Sequence, residues 1–332
     1  LKKIPLSVLE LAIVKQGGNA ATAIAATVET ARHAEKLGYK RIWLAEHHNM
    51  EHIASSATAV LIGHIAGLTE GKIRVGSGGI MLPNHSPLVV AEQFGTLASI
   101  YPGRIDLGLG RAPGTDQLTA LALRRNNALL TYDFESEIRQ LQNYFSSANK
   151  GSKVRAFPGE GADVPLWILG SSTDSAYLSA RMGLPYAFAA HFAPAQFRTA
   201  IDIYRKNFQP SAHLEKPYVM ACVNIMAADT DEEAELLSTS LVRMFLGIIT
   251  NSRKPLQPPA PLPPEITDDP DIQHALHSMM AYTFTGSKQT IQKQLGAFIE
   301  STGIDELMTT GHIYDQQAKL KSFSILYEAV NE

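Results

Sequence analysis

Glu46, His47 and His48 stand in a row and form the densest cluster of titratable groups in the chain. A histidine titrates near ~6.5, so it can take up or release a proton at neutral pH. His48 and His52 are four residues apart, which suits a metal only if both lie on one helix. They directly follow a strand-like run, and neither a carboxylate nor a third histidine completes a local ligand set. Acid–base work is therefore expected here, and no metal. A second set of residues suits an anion. Arg111 sits in Gly108-Leu-Gly-Arg-Ala-Pro-Gly114, which resembles a dinucleotide fingerprint only at a glance. The third glycine comes one place late, Pro113 stands where a helix should open, and no acidic residue closes a second strand about 20 residues on. What remains is a glycine-lined strand end with a guanidinium, a good bidentate partner for phosphate. Gly170-Ser171-Ser172 immediately precedes a helical pattern, and a helix start with hydroxyls is a second anion site. Simple helix capping would explain one serine equally well.

The elements that position these groups alternate regularly. Strand-like runs rich in Ile, Val, Leu and Trp cover Ile4–Leu9, Lys40–Ala45, Ile73–Ser77, Arg104–Leu109, Val164–Leu169, Pro185–Ala190, Tyr218–Met226 and Glu306–Thr310. Helical periodicity fills Thr22–Leu37, Ser55–Leu68, Ser86–Ile100, Tyr132–Ser147, Thr173–Met182, Pro194–Asn207, Lys288–Thr302 and Gln316–Val330. Local signals agree. Ser86-Pro87 reads as an N-cap followed by proline, and Thr230 with Glu233 as a capping box. Eight strand–helix units predict a single (β/α)8 barrel over residues 1–332, in preference to a doubly wound open sheet. Residues 228–287 interrupt the alternation between the seventh strand and its helix. They hold helices near Asp231–Ile249 and Ile272–Tyr282 and a proline-rich run, expected to be extended and mobile around Asn251–Pro270, as a lid.

In such a barrel, chemistry belongs just after each strand. Glu46–Asn49, Ser77-Gly78-Gly79, Gly110-Arg111, Gly170–Ser172, His191 and His312 all fall there, and the opposite strand ends show no comparable collection. Leu9, Leu11, Met81 and Phe192 are candidates for an apolar pocket. Trp43, Trp167 and Cys222 read as packing residues.

Composition limits the function classes. The 332 residues are 45% apolar and 18% charged, enough for a large core and unlike a disordered chain. A net charge of −3 argues against a dedicated nucleic-acid binder. No apolar stretch approaches the ~20 residues of a membrane span. A single cysteine rules out an internal disulfide and fits the cytoplasm. The opening Leu1–Val14 is interrupted by Glu10 and reads as strand and loop, not a signal peptide.

Three linked segments then resemble one family. Trp43-Leu-Ala-Glu-His-His-Asn-Met50, Val75-Gly-Ser-Gly-Gly-Ile-Met-Leu-Pro-Asn-His-Ser-Pro87 and Tyr101-Pro-Gly-Arg-Ile-Asp-Leu-Gly-Leu-Gly-Arg-Ala-Pro-Gly114 are similar to the bacterial luciferase-like monooxygenases, closest to their YhbW-like branch. The similarity continues through Gly170–Ser172, Leu184-Pro185, Thr285–Ser287 and Asp305–Leu307. The resemblance implies a (β/α)8 barrel that uses reduced FMN and O2, through a C4a-(hydro)peroxyflavin, to oxidise a small organic substrate. It implies a separate flavin reductase and a homodimer formed through the second and third helices. By the same resemblance Glu46 and His47 are the flavin-site carboxylate and catalytic histidine. Ser77, Gly78 and Gly79 border the flavin ring, with a cis peptide between the two glycines. Arg111, Gly170, Ser171 and Ser172 hold the phosphate, with Arg125 or Arg124 as a second arginine. Gly110 replaces luciferase's reactive cysteine and the insertion departs from its lid, which argues against luminescence. The deazaflavin F420 with hydride transfer, and a non-enzymatic flavin-binding protein, are the alternatives.

Overall fold

Strands form where short β-branched and leucine-rich runs can be buried on both faces, as a parallel sheet covered by helices requires. The computed structural model describes residues 3–112, 114–123, 133–262 and 269–331. Its ring-forming strands are β1 (Leu6–Glu10), β2 (Arg41–Leu44), β3 (Arg74–Met81), β4 (Ile105–Gly110), β5 (Leu166–Gly170), β6 (Tyr186–Ala189), β7 (Val219–Ala227) and β9 (Glu306–Thr310). All pair in parallel, β6 with β7 and β9 with β1, so the sheet closes on itself. The expected (β/α)8 barrel is the fold observed.

Helices lie between the strands: α1 (Ala20–Leu37), α2 (Thr58–Leu68), α3 (Pro87–Ile100), α4 (Gln117–Leu123), α5 (Phe134–Phe145), α6 (Thr173–Met182), α7 (Phe197–Asn207), α10 (Lys288–Thr302) and α11 (Gln316–Asn331). Asn19 opens α1 with a reciprocal capping box, and Gly38 in the left-handed region closes it. In α10 the apolar set Ile291, Leu295, Phe298 and Ile299 is buried as its spacing requires. The two faces of the ring bury different residues. Val8, Ile42, Leu44 and Val75 pack outward against helices. Leu9, Trp43, Trp167, Ala187, Met220, Cys222 and Met308 form a separate cluster, with Trp43 and Trp167 edge to face at 5.2 Å. This is the barrel interior, so both tryptophans and Cys222 are packing residues, as expected.

Among its described residues the insertion is more ordered than its prolines imply, and residues 263–268 of the expected mobile run lie outside them. Between β7 and α10 come α8 (Asp231–Ile249), α9 (Pro270–Met279) and a strand the sequence did not reveal, β8 (Thr283–Gly286). That strand pairs with the C-terminal half of β7. Leu241 and Phe245 of α8 pack with Met226 and Ile313, with Leu276 of α9 against them. The segment expected to be mobile is pinned at Leu256, which is buried. Its N–H donates to the Val14 carbonyl at 3.0 Å, and its carbonyl accepts from the Gln16 N–H at 2.8 Å. Over residues 251–262 the insertion is thus a strap tied to the loop after β1.

The lower end of the barrel corrects a second expectation. Arg41 donates to Asp106 (2.6 Å) and to Glu306 (2.8 Å). Arg74 and the Trp43 indole also donate to Asp106, at 2.8 and 3.1 Å. Tyr218 donates to Glu306 at 2.8 Å, and Ser7 does so as well. Charged residues spaced inside apolar strands face inward here and plug the ring. Polar residues therefore collect at both strand ends, each set for its own reason.

Candidate active site

The upper rim is assembled from the loops that follow β2, β3, β4, β5, β6 and β9. Glu46 has no exposed surface, and all its hydrogen bonds are to the protein. Its Oε1 accepts from His48 Nε2 (2.8 Å), His85 Nε2 (2.8 Å) and the Asn84 amide (3.2 Å). Its Oε2 accepts from the Met81 N–H (3.1 Å) and again from His85 (3.0 Å). Burial pushes this carboxyl up, but the bonds from His48 and His85, the His85 charge and the Met81 N–H outweigh it and hold Glu46 at about 2. Ligand atoms of Glu46, His48 and His85 lie within 4.8 Å of one another. That overturns the expectation that no local set forms. The three are knotted together by mutual hydrogen bonds, which tie the β2 loop to the β3 loop. Nothing in its sequence neighbourhood marks His85 for this role, although it follows a strand as the others do.

His47 points elsewhere. Its Nδ1 is buried without a partner. Burial lowers its pKa, the carbonyl of Gly114 and the Glu46 charge raise it, and Arg253 and His48 lower it further. Arg253 comes from the strap of the insertion, where its Nη1 lies 3.8 Å from Met50 Sδ. Sequence spacing gives no hint of that approach. His191 and His312 are also buried, and burial drives both down to about 3.

The floor beside Glu46 is glycine by necessity. The Gly78–Gly79 peptide is cis, as expected from the resemblance. A Cβ on Gly78 would stand 2.6 Å from Leu9 Cδ1, and one on Gly79 would stand 2.8 Å from the Gly108 carbonyl oxygen. Ser77 is fully buried, accepting from the Gly108 N–H (3.0 Å) and donating to its carbonyl (2.9 Å). Its hydroxyl braces β3 against β4 and is not free for a ligand.

The anion residues converge. Arg111, after β4, reaches Asp174 in the first turn of α6 at 3.3 Å. Both are more than half exposed, so this pair contributes little by itself. Ser172 is the N-cap of α6 but makes no side-chain capping bond. Among the described residues, neither the Ser171 nor the Ser172 hydroxyl has a partner. Gly170 is close-packed: a Cβ there would stand only 2.1 Å from Ser175 Oγ. The structure thus joins Arg111 to the Gly170–Ser172 helix start. Arg124 and Arg125 lie outside the described residues.

The closed parallel barrel thus carries a histidine–carboxylate rim and sets Arg111 beside the start of α6. The luciferase-like monooxygenase family profile matches residues 6–306, and the chain belongs to that family. YvbT of Bacillus subtilis (strain 168) is 51% identical over 97% of this chain and 95% of its own length. A luciferase-like monooxygenase of Escherichia coli (strain K12) is 46% identical over 100% of this chain and 98% of its own. The solved structure of apo-MsnO8 superposes with a TM-score of 0.88 at 34% identity, covering 98% of each chain. More distant neighbours share the fold alone. They include the FMN complex of the oxygenating constituent of 3,6-diketocamphane monooxygenase from a Pseudomonas putida plasmid (TM-score 0.73, 17% identity, 98% and 97% coverage). An F420-dependent secondary alcohol dehydrogenase in complex with an F420–acetone adduct is another (TM-score 0.70, 15% identity, 99% and 100% coverage). Family and fold together make the chain an oxidoreductase of this family. Among the described residues, no helix is long and apolar enough to cross a membrane.

Proposed function

We propose that the chain is an FMN-dependent monooxygenase acting on a small organic substrate. The observation that carries the reading is that Arg111 reaches Asp174 in the first turn of α6, the helix whose N-cap Ser172 makes no capping bond. A guanidinium, two hydroxyls and a helix N-terminus match a phosphate monoester. The close-packed Gly78–Gly79 turn gives a flat ring system an approach that side chains would block. Reduced FMN, when bound, supplies two electrons with which O2 is split, one oxygen atom going to substrate and one to water. The chain's residues bind and orient it. Arg111, Gly170, Ser171 and Ser172 hold the phosphate, and Asp174 must release Arg111 as it binds. Glu46 fixes the β2 and β3 loops beneath the ring. His47, its pKa lowered chiefly by burial, is kept neutral beside this rim.

The proposal includes a homodimer. Val60 of α2 and Val89 and Ile100 of α3 are exposed by 72%, 44% and 59%. Exposed apolar side chains on those two helices support a homodimer through them. A separate cytoplasmic flavin reductase delivers the reduced cofactor. The F420 neighbour favours a second reading, hydride transfer without O2.

Anaerobic titration with reduced FMN, oxidised FMN and F420 separates the two. Saturable FMN uptake, weakened at least about tenfold by Arg111→Ala, is expected. Uptake of F420 alone would replace the proposal. In the loaded enzyme, His47→Ala should abolish substrate oxidation while FMN affinity changes by less than about threefold.

A further inference from the structure

We propose that Gln196 belongs to the phosphate site: a phosphate oxygen takes the Thr173 N–H from the Gln196 side chain, whose amide turns to donate an N–H to the phosphate. This role rests on reading the start of α6 as the phosphate site. It adds to Arg111 and the serines a residue from the loop that carries β6 into α7. The Thr173 N–H donates to Gln196 Oε1 at 3.0 Å. Thr173 is the first residue of α6, with Ser172 as its N-cap. A capping hydroxyl reaches the second or third N–H of a helix, not the first. The Thr173 N–H is therefore one that the cap of α6 does not serve, and its acceptor comes from 23 residues further on.

Gln196 serves a helix other than its own. It is the N-cap of α7, yet its side chain makes no capping bond there. Its backbone is fixed. The Gln196 carbonyl accepts from the Ala200 N–H at 2.8 Å, and Phe197 beside it is fully buried, its ring 5.2 Å from Phe188 and 5.8 Å from Phe298. The Gln196 side chain is exposed and turns without disturbing this packing. The start of α6 is held just as firmly. The Ser172 carbonyl accepts from Ser175 Oγ (2.7 Å) and from the hydroxyl of the buried Tyr186 (3.2 Å). Two fixed mounts thus bring a mobile amide to the same helical turn that Arg111 reaches through Asp174.

An amide suits this exchange. A helix start carries a partial positive charge that favours an anion. The neutral carbonyl of Gln196 satisfies the Thr173 N–H without supplying that charge, so a phosphate oxygen binds the N–H more strongly and displaces it. The same side chain carries two N–H donors. Turning it exchanges an acceptor for a donor, and neither the Thr173 N–H nor the amide is left unpaired. A glutamate in its place would hold the Thr173 N–H more tightly and repel the phosphate.

The test compares FMN with riboflavin, which has the same ring system and no phosphate, by following flavin fluorescence as the protein is added. The unaltered chain should prefer FMN. Gln196→Ala should cut that preference about tenfold, the worth of one hydrogen bond to a charged group. Gln196→Glu should cut it at least about a hundredfold, because repulsion is added to the loss. Riboflavin affinity should stay within about twofold in both variants, which a merely structural role would not allow. In the unaltered chain, FMN and not riboflavin should move the nitrogen-15 resonances of the Thr173 amide and the Gln196 side chain. A preference that either substitution leaves unaltered or raises, an equal loss of riboflavin affinity, or unmoved resonances overturns the proposal. Equal affinity of the unaltered chain for FMN and riboflavin overturns it together with the phosphate site. Uptake of F420 without FMN, weakened by Gln196→Glu, would sink the FMN reading and leave the role of Gln196 standing.

Discussion

A carboxylate with no exposed surface stays ionised only when its lone pairs are used, and Glu46 meets that condition with four separate donors. Its pKa of about 2 against an ordinary 4.5 has a consequence for stability. The folded pKa is depressed, so the contribution is complete above pH 4.5 and disappears as pH falls through 2. A gap of that size corresponds to on the order of 3 kcal/mol. Glu46→Gln removes it and sets an amide N–H against one of the imidazole N–H groups. At neutral pH the variant should be about 2–3 kcal/mol less stable by urea unfolding. The deficit should roughly halve by pH 3, because the ionised carboxylate is then losing its advantage. A deficit independent of pH would mean that Glu46 acts through packing instead. The same residue shows what spacing reveals. Adjacency exposed Glu46-His47-His48 as a cluster, but His85 is 39 positions from Glu46, and only the parallel pairing of β2 with β3 brings their loops together.

Elements add constraints that single residues do not show. Arg41, Asp106 and Glu306 come from β2, β4 and β9 and share one buried network, with Arg41 over the Trp167 ring at 4.7 Å. Removing one partner from such a network leaves uncompensated buried charge. Arg41→Met should therefore cost on the order of 3–5 kcal/mol. FMN affinity should hold, since the plug lies at the end of the barrel away from Arg111. Urea midpoints and FMN titrations on the same preparation check both halves; intact stability would show that the network is hydrated. This plug was illegible because a charged residue in a short strand reads as an exposed edge until the ring closes and turns it inward. The main alternation was legible because period and length separate strands from helices. Thr173–Met182 and Lys288–Thr302 match α6 and α10 residue for residue. β8 has four residues, too few for periodicity to register, and exists because β7 continues past the rows that close the ring. The proline run misled in a different way. Proline forbids helix and sheet interior, but Leu256 among the prolines keeps its N–H and uses it to anchor the strap.

At the scale of the whole molecule, closing the barrel carries histidines distant in sequence into one buried layer and fixes their charge. His191 and His312 are held at about 3, in each case chiefly by burial, then by the charge of a neighbouring histidine, His47 for His191 and His191 for His312. The unfolded chain returns both to 6.5. A depressed folded pKa means that this contribution is whole above pH 6.5 and is lost as pH falls toward 3. Between pH 7 and pH 5 each group should cost about 2 kcal/mol, so the pair removes on the order of 4 kcal/mol. Set against a typical total of about 5–15 kcal/mol, that makes mild acid a serious challenge to the fold. Urea unfolding at the two pH values measures the loss directly. His191→Asn and His312→Asn, which keep polarity but do not titrate, should each recover about half of it, and the double variant should be nearly flat across the interval. A double variant as acid-sensitive as the unaltered chain would place the sensitivity elsewhere. The burial that keeps His191 and His312 uncharged is thus also what takes acid tolerance from the fold.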